Sequence, residues 1–316
     1  MIKLLVQLIN DLVHLTAPGC SGIKPQYSPT QIATFPTAAK TAQIDVLSLP
    51  TISVVIPSYN QGRFLEQTIL SVLEQSYPSL ELIVADGGST DRSAEVIKKY
   101  SDRLKWWVSE PDSGQAEAIN KGMQQATGNI MAWLNSDDML MPGSLFKVAK
   151  CFMDSPHTDV VYGHRILIDE AGMDVGRWIL PTHDNFILSY ADYIPQETMF
   201  WRKDIWEKAG RRVDEGYQFA LDWDLINRFL YAGAKFYRIP AFLGQFRLHQ
   251  EQKTNARIED TGFLEMERIR AQYLEKFPNK WVRNSVEHLR LLNLAFYMFK
   301  ARLTELAWRW GLAKIQ

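Results

Sequence analysis

Strand and helix patterns alternate along the chain from residue 51 onward, and this alternation restricts the fold more than any other feature. Short runs of β-branched, aliphatic and aromatic residues predict strands at 52–57, 81–85, 105–108 and 130–134, and helical patterns lie between them. Successive strands joined by helices form βαβ units. The sequence therefore predicts an α/β fold with a mostly parallel sheet flanked by helices.

Each of the four strand patterns is followed by a polar loop. The carboxyl ends of parallel strands meet at one edge of a sheet, and open α/β sheets bind their ligands at that edge. We therefore expect one polar ligand site, built from residues 57–61, 86–91, 112–121 and 135–138. The turn at 86–91 suits a base, a ribose or a phosphate, although Gly and Asp are also typical of a plain tight turn.

Four parts of the chain can be distinguished from its patterns. Residues 1–50 hold an amphipathic helical pattern and then a linker rich in Pro, Ser and Thr, and they favour a surface helix over a signal peptide. Residues 51–165 carry the strands and the polar loops, and residues 166–255 show weaker order. Residues 256–316 have a helical pattern, so both ends are predicted to extend the central fold with helices.

The charge balance of the chain argues against a nucleic-acid partner. Lys and Arg number 35 and Asp and Glu 36, which leaves a formal net charge of −1 and no overall basic field. The two cysteines, Cys20 and Cys151, cannot form a disulfide framework and favour a reducing compartment. The sequence contains no run of about 18 apolar residues that would predict a membrane-spanning helix. A cytoplasmic location is expected.

Two adjacent carboxylates, Asp137 and Asp138, follow the strand predicted at 130–134. Neighbouring carboxylates repel each other unless a positive group lies close by. A hard divalent cation, Mn²⁺ or Mg²⁺, would neutralise them and complete its shell with substrate phosphates; helix capping is the alternative role. His249 follows another predicted strand and is either a structural residue or a third ligand to that metal.

Further charged residues and missing motifs narrow the chemistry. Asp222 and Asp224 stand at the start of a predicted helix and point in different directions, so one can face the site while the other caps the helix or faces solvent. Lys121 either contacts a diphosphate or lies on the surface. The chain lacks dinucleotide-binding and P-loop glycine motifs, a GxSxG elbow, and CxxC or HExxH patterns. These absences argue against P-loop, hydrolase-triad and zinc chemistry.

Taken in order along the chain, these motifs resemble those of the family-2 inverting glycosyltransferases of the GT-A fold. The resemblance covers about residues 51–255. The matching segments are 54–60 and 84–91, similar to the family's nucleotide loops, 120–122 and 126–128, similar to the segment along the donor, and 134–138 with Pro142, similar to its DxD region. The resemblance implies a GT-A type, Rossmann-like sheet, with 51–165 as the nucleotide-sugar-binding half and 166–255 as the acceptor-binding half.

The resemblance also implies which residues bind the donor, a nucleotide-diphospho-sugar with a UDP-sugar favoured. Asp86 is expected to contact the nucleobase. The donor-binding residues expected from the matching segments are Pro57, Ser58, Tyr59, Asn60, Asp86, Ser89, Asn120, Lys121, Asn135, Ser136 and Asp137. The first acid of the family's DxD is Asn135 here. The resemblance therefore leaves the metal to Asp137 and Asp138, with His249 matching a family histidine near the diphosphate.

The catalytic base of the family usually lies in a Glu-Asp pair, which corresponds to Leu221 and Asp222 here. The acidic neighbour is lost and the aspartate is retained, so Asp222 is the expected base. Pro195 and Gln196 resemble an acceptor-side segment. The implied reaction is a metal-dependent, inverting transfer of a sugar from the donor to a glycan or lipid-linked saccharide, in polysaccharide or cell-envelope biosynthesis.

Two other functions stay open at this point. A nucleotidyltransferase also joins a parallel sheet to a metal-bound nucleotide, but residues 58–62 lack the Gly-rich, basic run that is typical of one. A non-catalytic nucleotide-sugar-binding module is suggested by Asn135 and Leu221, which stand at positions that are usually acidic.

The segment 280–316 is basic and amphipathic. It contains seven Lys and Arg and two Glu, a net charge of +5, and its apolar residues recur every three or four positions. Such a helix either lies on an anionic lipid surface or packs against the catalytic domain with its charges in water. The first alternative predicts peripheral attachment to the inner face of the cell membrane.

Overall fold

The structure is a computed structural model, and it describes residues 25–31, 48–189, 191–252, 261–274, 296–297 and 299–308. The amphipathic pattern expected near the amino terminus and most of the segment 280–316 lie outside these residues. None of the helices in the described ranges combines the length and the apolar character needed to cross a membrane.

The helices and strands of the described residues follow one another in an order close to the predicted one. They are β1 (Ile52–Ser58), α1 (Gly62–Leu73), β2 (Leu80–Asp86), α2 (Ser93–Lys99), β3 (Trp106–Ser109), α3 (Gln115–Gln125), β4 (Ile130–Trp133), β5 (Met139–Leu140), α4 (Ser144–Asp154), β6 (Val160–Ile168), β7 (Asp174–Trp178), α5 (Asn185–Leu188), β8 (Phe200–Arg202), α6 (Lys203–Lys208), α7 (Leu221–Tyr231), β9 (Phe236–Arg247), α8 (Phe263–Leu274) and α9 (299–308).

Within the described residues, nine strands form one sheet in the spatial order β3-β2-β1-β4-β8-β6-β9-β5, with β7 paired to β6. β1 runs parallel to β2 and β4, and β2 runs parallel to β3. β8 is antiparallel to both of its neighbours, whereas β6 and β9 are parallel to each other. The predicted α/β fold is confirmed, and the carboxyl ends of β1 to β4 meet at one edge of the sheet.

Apolar clusters cover both faces of the parallel strands, which explains why β1 is buried along its whole length. Successive side chains of β1 point to opposite faces, so Val55 belongs to the cluster that contains α3 and Val54 to the cluster that contains α1. Gly122 lets α3 approach the sheet closely, because a Cβ atom there would lie 2.4 Å from Cγ1 of Val55. This packing fixes the loop before α3 against the strand ends.

Segments from both ends of the chain pack on β7 and β9. Thr30 forms an isolated antiparallel bridge with Asp174 at the start of β7. The ring of Trp308 on α9 contacts that of Phe242 at 6.2 Å between centroids and lies under the guanidinium of Arg177. One face of α9 is therefore packed against the sheet.

Candidate active site

The predicted ligand loops border one cavity of about 1150 Å³ at the carboxyl ends of the parallel strands. Its lining includes Pro57 and Ser58 at the end of β1, the run 135–138 after β4, and Asp222 at the start of α7. The expected base and several expected donor residues thus face the same space. That space is larger than the cavity that one drug-sized ligand usually fills.

Asp86 at the end of β2 links the loops that follow β1 and β2 with the end of β3. Asp86 is 1% exposed, and its carboxylate accepts hydrogen bonds from the Ser89 N–H (3.0 Å), Ser89 Oγ (2.5 Å) and Ser109 Oγ (2.7 Å). Ser89 Oγ in turn accepts the N–H of Asn60 at 2.8 Å. Asn60, Asp86 and Ser89 therefore organise the loops without lining the cavity, whereas Tyr59 lines it and is 62% exposed. A donor contact by the first three stays a prediction.

The loop after β2 packs closely against the loop before α3 because two glycines, Gly87 and Gly88, stand at the contact. Gly88 has φ +76°, and a Cβ atom there would lie 2.9 Å from the nitrogen of Pro111. A Cβ atom at Gly87 would lie 2.8 Å from Oδ2 of Asp112. Burial raises the pKa of the Asp112 carboxyl, and the Gly114 N–H that it accepts opposes this shift. Gly87 and Gly88 therefore allow the two loops to pack together, and they line the cavity with backbone atoms only.

Asn120 and Lys121 on α3 are each bound to other residues of the protein. Asn120 Nδ2 donates to the carbonyl of Val213 at 2.9 Å, and its Oδ1 accepts the Val213 N–H at 2.7 Å. Lys121 Nζ pairs with Glu110 at 3.1 Å and with Glu117 at 3.0 Å. Neither residue lines the cavity, so their donor contacts stay predictions. Asn120 instead ties α3 to the segment that precedes α7.

Asp137 and His249 come together although 112 residues separate them in the chain. Asp137 Oδ2 lies 2.9 Å from His249 Nε2, and Arg63 Nη2 lies 3.1 Å from Nδ1 on the other side of the ring. A guanidinium group only donates hydrogen bonds, so Nδ1 is the acceptor in this contact and Nε2 faces the carboxylate. The two contacts fix the orientation of the imidazole ring.

Asp138 differs from Asp137 in its surroundings. It is 1% exposed, and its Oδ1 accepts the N–H of Arg247 at 3.0 Å. Burial, and after it the negative charges of Asp137 and Glu197, raise the pKa of the Asp138 carboxyl. The Asp137 side chain keeps 19% of its surface exposed. Asp137 is therefore the more accessible of the two carboxylates, a difference that the sequence did not reveal.

Arg247 was missed by the sequence analysis as part of the site. It is completely buried, and its Nε donates to the carbonyl of Asp137 at 2.8 Å while Nη2 donates to Gln67 Oε1 at 2.7 Å. Its guanidinium also lies 4.6 Å from the ring centroid of Phe64. Arg247 thus holds the loop after β4 against α1 and β9. The available signal was a cation at the end of a strand pattern, two residues before His249.

Asp222 and Asp224 lie on different sides of α7, as expected. Asp222 lines the cavity, and its Oδ1 accepts the N–H of Trp223 at 2.8 Å. Asp224 Oδ2 pairs with Arg228 Nε at 2.8 Å, outside the lining. Asp222 is therefore the carboxylate of α7 that is available to a ligand.

A second carboxyl group, Asp192, borders the cavity near Asp222 and was not predicted. Burial, and then the negative charge of Asp222, raise the pKa of Asp192, while the charges of Arg165 and Arg270 oppose the shift. Arg165 is held by Glu197, with Nε 2.8 Å from Oε1, and it lies 4.9 Å and 4.4 Å from the ring centroids of Trp178 and Phe246. This end of the cavity therefore combines carboxyl groups, a fixed guanidinium and aromatic rings.

Comparison with known proteins assigns the chain to a family. Residues 53–214, just over half of the chain, match the family described as Glycosyl transferase family 2. The chain belongs to this family.

An uncharacterized glycosyltransferase of Haemophilus influenzae is 36% identical over 132 residues, 41% of this chain and 52% of that one. The putative teichuronic acid biosynthesis glycosyltransferase TuaG of Bacillus subtilis is 37% identical over 108 residues, 33% of this chain and 43% of that one. The chain spans about half the length of the curated relatives it matches.

Solved glycosyltransferase structures share the fold of this family-2 chain. S. aureus TarS 1–349, in complex with UDP-GlcNAc, is 19% identical with a TM-score of 0.59, over 76% of this chain and 71% of that one. The mannosyltransferase PcManGT of Pyrobaculum calidifontis, in complex with GDP-Man and Mn²⁺, is 16% identical with a TM-score of 0.58, over 96% of this chain and 81% of that one. At these identities the likeness shows the fold alone, and it confirms the predicted GT-A type sheet.

The residues of this family-2 chain suit a divalent cation that is shared with a ligand. Asp137 offers oxygen and His249 offers nitrogen, both of which Mn²⁺ accepts. In the described part of the chain, no three His, Cys, Asp or Glu side chains lie close enough together to hold a cation by themselves. Mg²⁺ and Mn²⁺ commonly take further ligands from substrate phosphates and water. Asp137 and His249 fit such a site, and coordination by Asp138 stays a prediction.

Proposed function

We propose that this chain is a metal-dependent, inverting glycosyltransferase. It moves a sugar from a nucleotide-diphospho-sugar, with a UDP-sugar favoured, onto a hydroxyl of a glycan or lipid-linked saccharide in polysaccharide or cell-envelope biosynthesis. One observation carries the proposal: Asp137 at the strand edge and Asp222 at the start of α7 border the same cavity. The family match and the nucleotide sugars bound by TarS and PcManGT support the donor class.

The nucleotide end of the cavity binds the donor through loops of the parallel sheet. Ser58 at the end of β1 offers a hydroxyl and Tyr59 an exposed ring, and Gly87 and Gly88 after β2 line the cavity without side chains, which suits a base or ribose. The amino terminus of α3 faces the cavity at residues 113–118, where helix N–H groups favour an anion. These features favour a nucleotide with its diphosphate directed toward Asp137.

Asp137 and His249 would hold the cation. When bound, Mn²⁺ or Mg²⁺ neutralises the charge that develops on the leaving nucleoside diphosphate. Arg247 keeps the loop of Asp137 in place. For Nε2 of His249 to bind the cation, the ring proton must move to Nδ1, and the contact of Arg63 with Nδ1 would have to give way.

Asp222 acts as the proton acceptor at the other end of the cavity. The acceptor hydroxyl loses its proton to the carboxylate while its oxygen attacks the anomeric carbon from the face opposite the diphosphate. A single displacement of this kind inverts the configuration at that carbon and requires no sugar-enzyme intermediate. The Asp222 carboxylate accepts the Trp223 N–H, and this hydrogen bond fixes its orientation.

The phosphate product released from the nucleotide sugar distinguishes this proposal from its alternatives. The purified chain is incubated with UDP-, GDP- and dTDP-sugars and MnCl₂, and the released nucleotide is measured. A glycosyltransferase releases nucleoside diphosphate, a nucleotidyltransferase releases pyrophosphate, and a binding module releases neither. Proton NMR of the first-formed sugar product gives the anomeric configuration, and retention of configuration would contradict the proposed mechanism.

The exposed face of α9 is proposed to contact anionic lipid on the inner face of the membrane. Phe299 and Leu303 are 58% and 49% exposed on the face away from Trp308, and the segment 280–316 carries a net charge of +5. We expect the double variant Phe299→Ser with Leu303→Ser to sediment about tenfold less with phosphatidylglycerol vesicles, because both side chains lose apolar burial in the interface. Leu264→Ser, which removes a 71% exposed leucine on α8, is the control. Equal sedimentation of the double variant and the wild type would refute the lipid contact.

A further inference from the structure

The helix α8 lies beyond the segment that matches the family, and its Glu265 accepts three backbone hydrogen bonds from the turn before α7. The donors are the N–H groups of Gln218 (2.7 Å), Phe219 (2.8 Å) and Ala220 (2.8 Å). The cap position of α7, Ala220, supplies no side-chain hydrogen bond of its own. Glu265 therefore holds, from another helix, the last three backbone N–H groups before α7.

Further contacts hold the same turn against α8. The guanidinium of Arg268 lies 4.8 Å from the ring centroid of Tyr217, and Gln272 Nε2 donates to the Tyr217 hydroxyl at 3.3 Å. Gly262 packs on Phe219 so closely that a Cβ atom there would lie 2.9 Å from the ring. Residues 217–219 are thus contacted along their length by α8 and by the residue directly before it.

The turn that Glu265 and α8 hold, residues 217–220, forms part of the cavity wall. Tyr217, Gln218 and Phe219 line the cavity, as does Asp222, two residues beyond the last N–H group that Glu265 accepts. α8 also reaches the cavity directly, through the buried side chain of Met266. The position of the Asp222 carboxylate therefore depends on a helix that the family match does not include.

We propose that Glu265 is a positioning residue for Asp222 and that α8 is an integral part of the acceptor side of the active site. The inference rests on the proposed function for the role of Asp222. Without Glu265, three amide groups lose their acceptor, and the turn shifts to reach water. A shift of about 1 Å between reacting groups can lower a rate about 10²-fold. The donor end is held by β1, β2 and α3 and keeps its geometry.

The test compares Glu265→Ala and Glu265→Gln with a control, Glu267→Ala. Glu267 lies on the same helix, and its 70% exposed side chain pairs with Arg270 rather than with the turn, so its loss removes a carboxylate without taking an acceptor from residues 218–220. Three quantities are measured: nucleoside diphosphate release with water as acceptor, the Kd of UDP and GDP with MnCl₂, and amide hydrogen exchange of residues 218–220.

For Glu265→Ala we expect kcat about 10²-fold lower, nucleotide Kd within twofold of wild type, and faster exchange at 218–220. Glu265→Gln retains one acceptor oxygen and should recover part of kcat, and Glu267→Ala should behave as wild type. A kcat of Glu265→Ala within threefold of wild type, or a parallel loss of kcat and nucleotide affinity, overturns the positioning role. Unchanged exchange at 218–220 overturns the brace itself. A wild type that releases no nucleoside diphosphate contradicts the proposed function, and the exchange result still decides on the brace.

Discussion

Asp222→Asn is expected to lower the rate of nucleoside diphosphate release about 10³-fold while leaving nucleotide affinity unchanged. The amide oxygen of Asn can still accept the Trp223 N–H that Asp222 accepts, so the start of α7 keeps its hydrogen bond. The amide cannot take a proton from the acceptor hydroxyl, and positioned bases contribute about 10²–10⁴-fold to a rate. Steady-state kinetics and calorimetry with UDP and GDP measure the two quantities.

Asp204→Asn is the matched control for this variant. Asp204 also stands in the first turn of a helix, α6, but it is exposed and lies outside the cavity lining. We expect it to keep wild-type activity. If Asp222→Asn turned over within tenfold of wild type, the base role would pass to another carboxyl, and Asp192 is the nearest candidate. Burial and the charge of Asp222 raise the pKa of Asp192, which makes it the weaker candidate while Asp222 is present, because it retains its proton to higher pH.

The parallel half of the sheet could be predicted because its signals are local. Each strand is a short apolar run, each polar loop follows directly, and the parallel arrangement follows from the helices between the strands. The second half lacked such signals. β8 is three residues long and antiparallel to β4 and β6, and the parallel pairing of β6 with β9 joins residues 76 to 79 positions apart. No local pattern encodes a pairing at that distance.

The sequence pointed to part of the cavity lining. Asp137 was singled out because adjacent carboxylates at a strand end suit a cation, and Asp222 because it corresponds to the aspartate of the family's Glu-Asp pair; both line the cavity. Arg247 and Glu265 were missed because their roles depend on partners far away in the chain, the loop of Asp137 and the turn before α7. Lys121 shows the same dependence on packing, since its ammonium pairs with Glu110 and Glu117 and its expected contact with the donor stays a prediction. Residue type predicts chemistry, and long-range packing decides which residues can perform it.

Asp137→Asn is expected to abolish the effect of MnCl₂ on nucleotide affinity and to lower the rate about 10²-fold or more. The Asn side chain retains an oxygen that can accept from His249 Nε2, so the contact that now measures 2.9 Å can persist. It loses the negative charge that attracts a divalent cation, and a neutral amide is a weaker ligand than a carboxylate for Mn²⁺ or Mg²⁺. The cation's stabilisation of the leaving diphosphate, worth several kcal/mol, is lost with it.

Removing the metal from the wild-type protein tests independently whether Asp137→Asn acts through the cation. Wild-type protein treated with EDTA should bind UDP and GDP as weakly as the variant does with MnCl₂, and adding Mn²⁺ should restore only the wild type. Asp204→Asn, which removes one carboxylate far from the cavity, controls for the change in net charge and should respond to Mn²⁺ as wild type does. Calorimetry that shows the same Mn²⁺-dependent affinity in Asp137→Asn and in wild type would place the cation elsewhere. Asp138 would not be an easy substitute, because its Oδ1 is already bound to the backbone of Arg247 and the residue is almost completely buried.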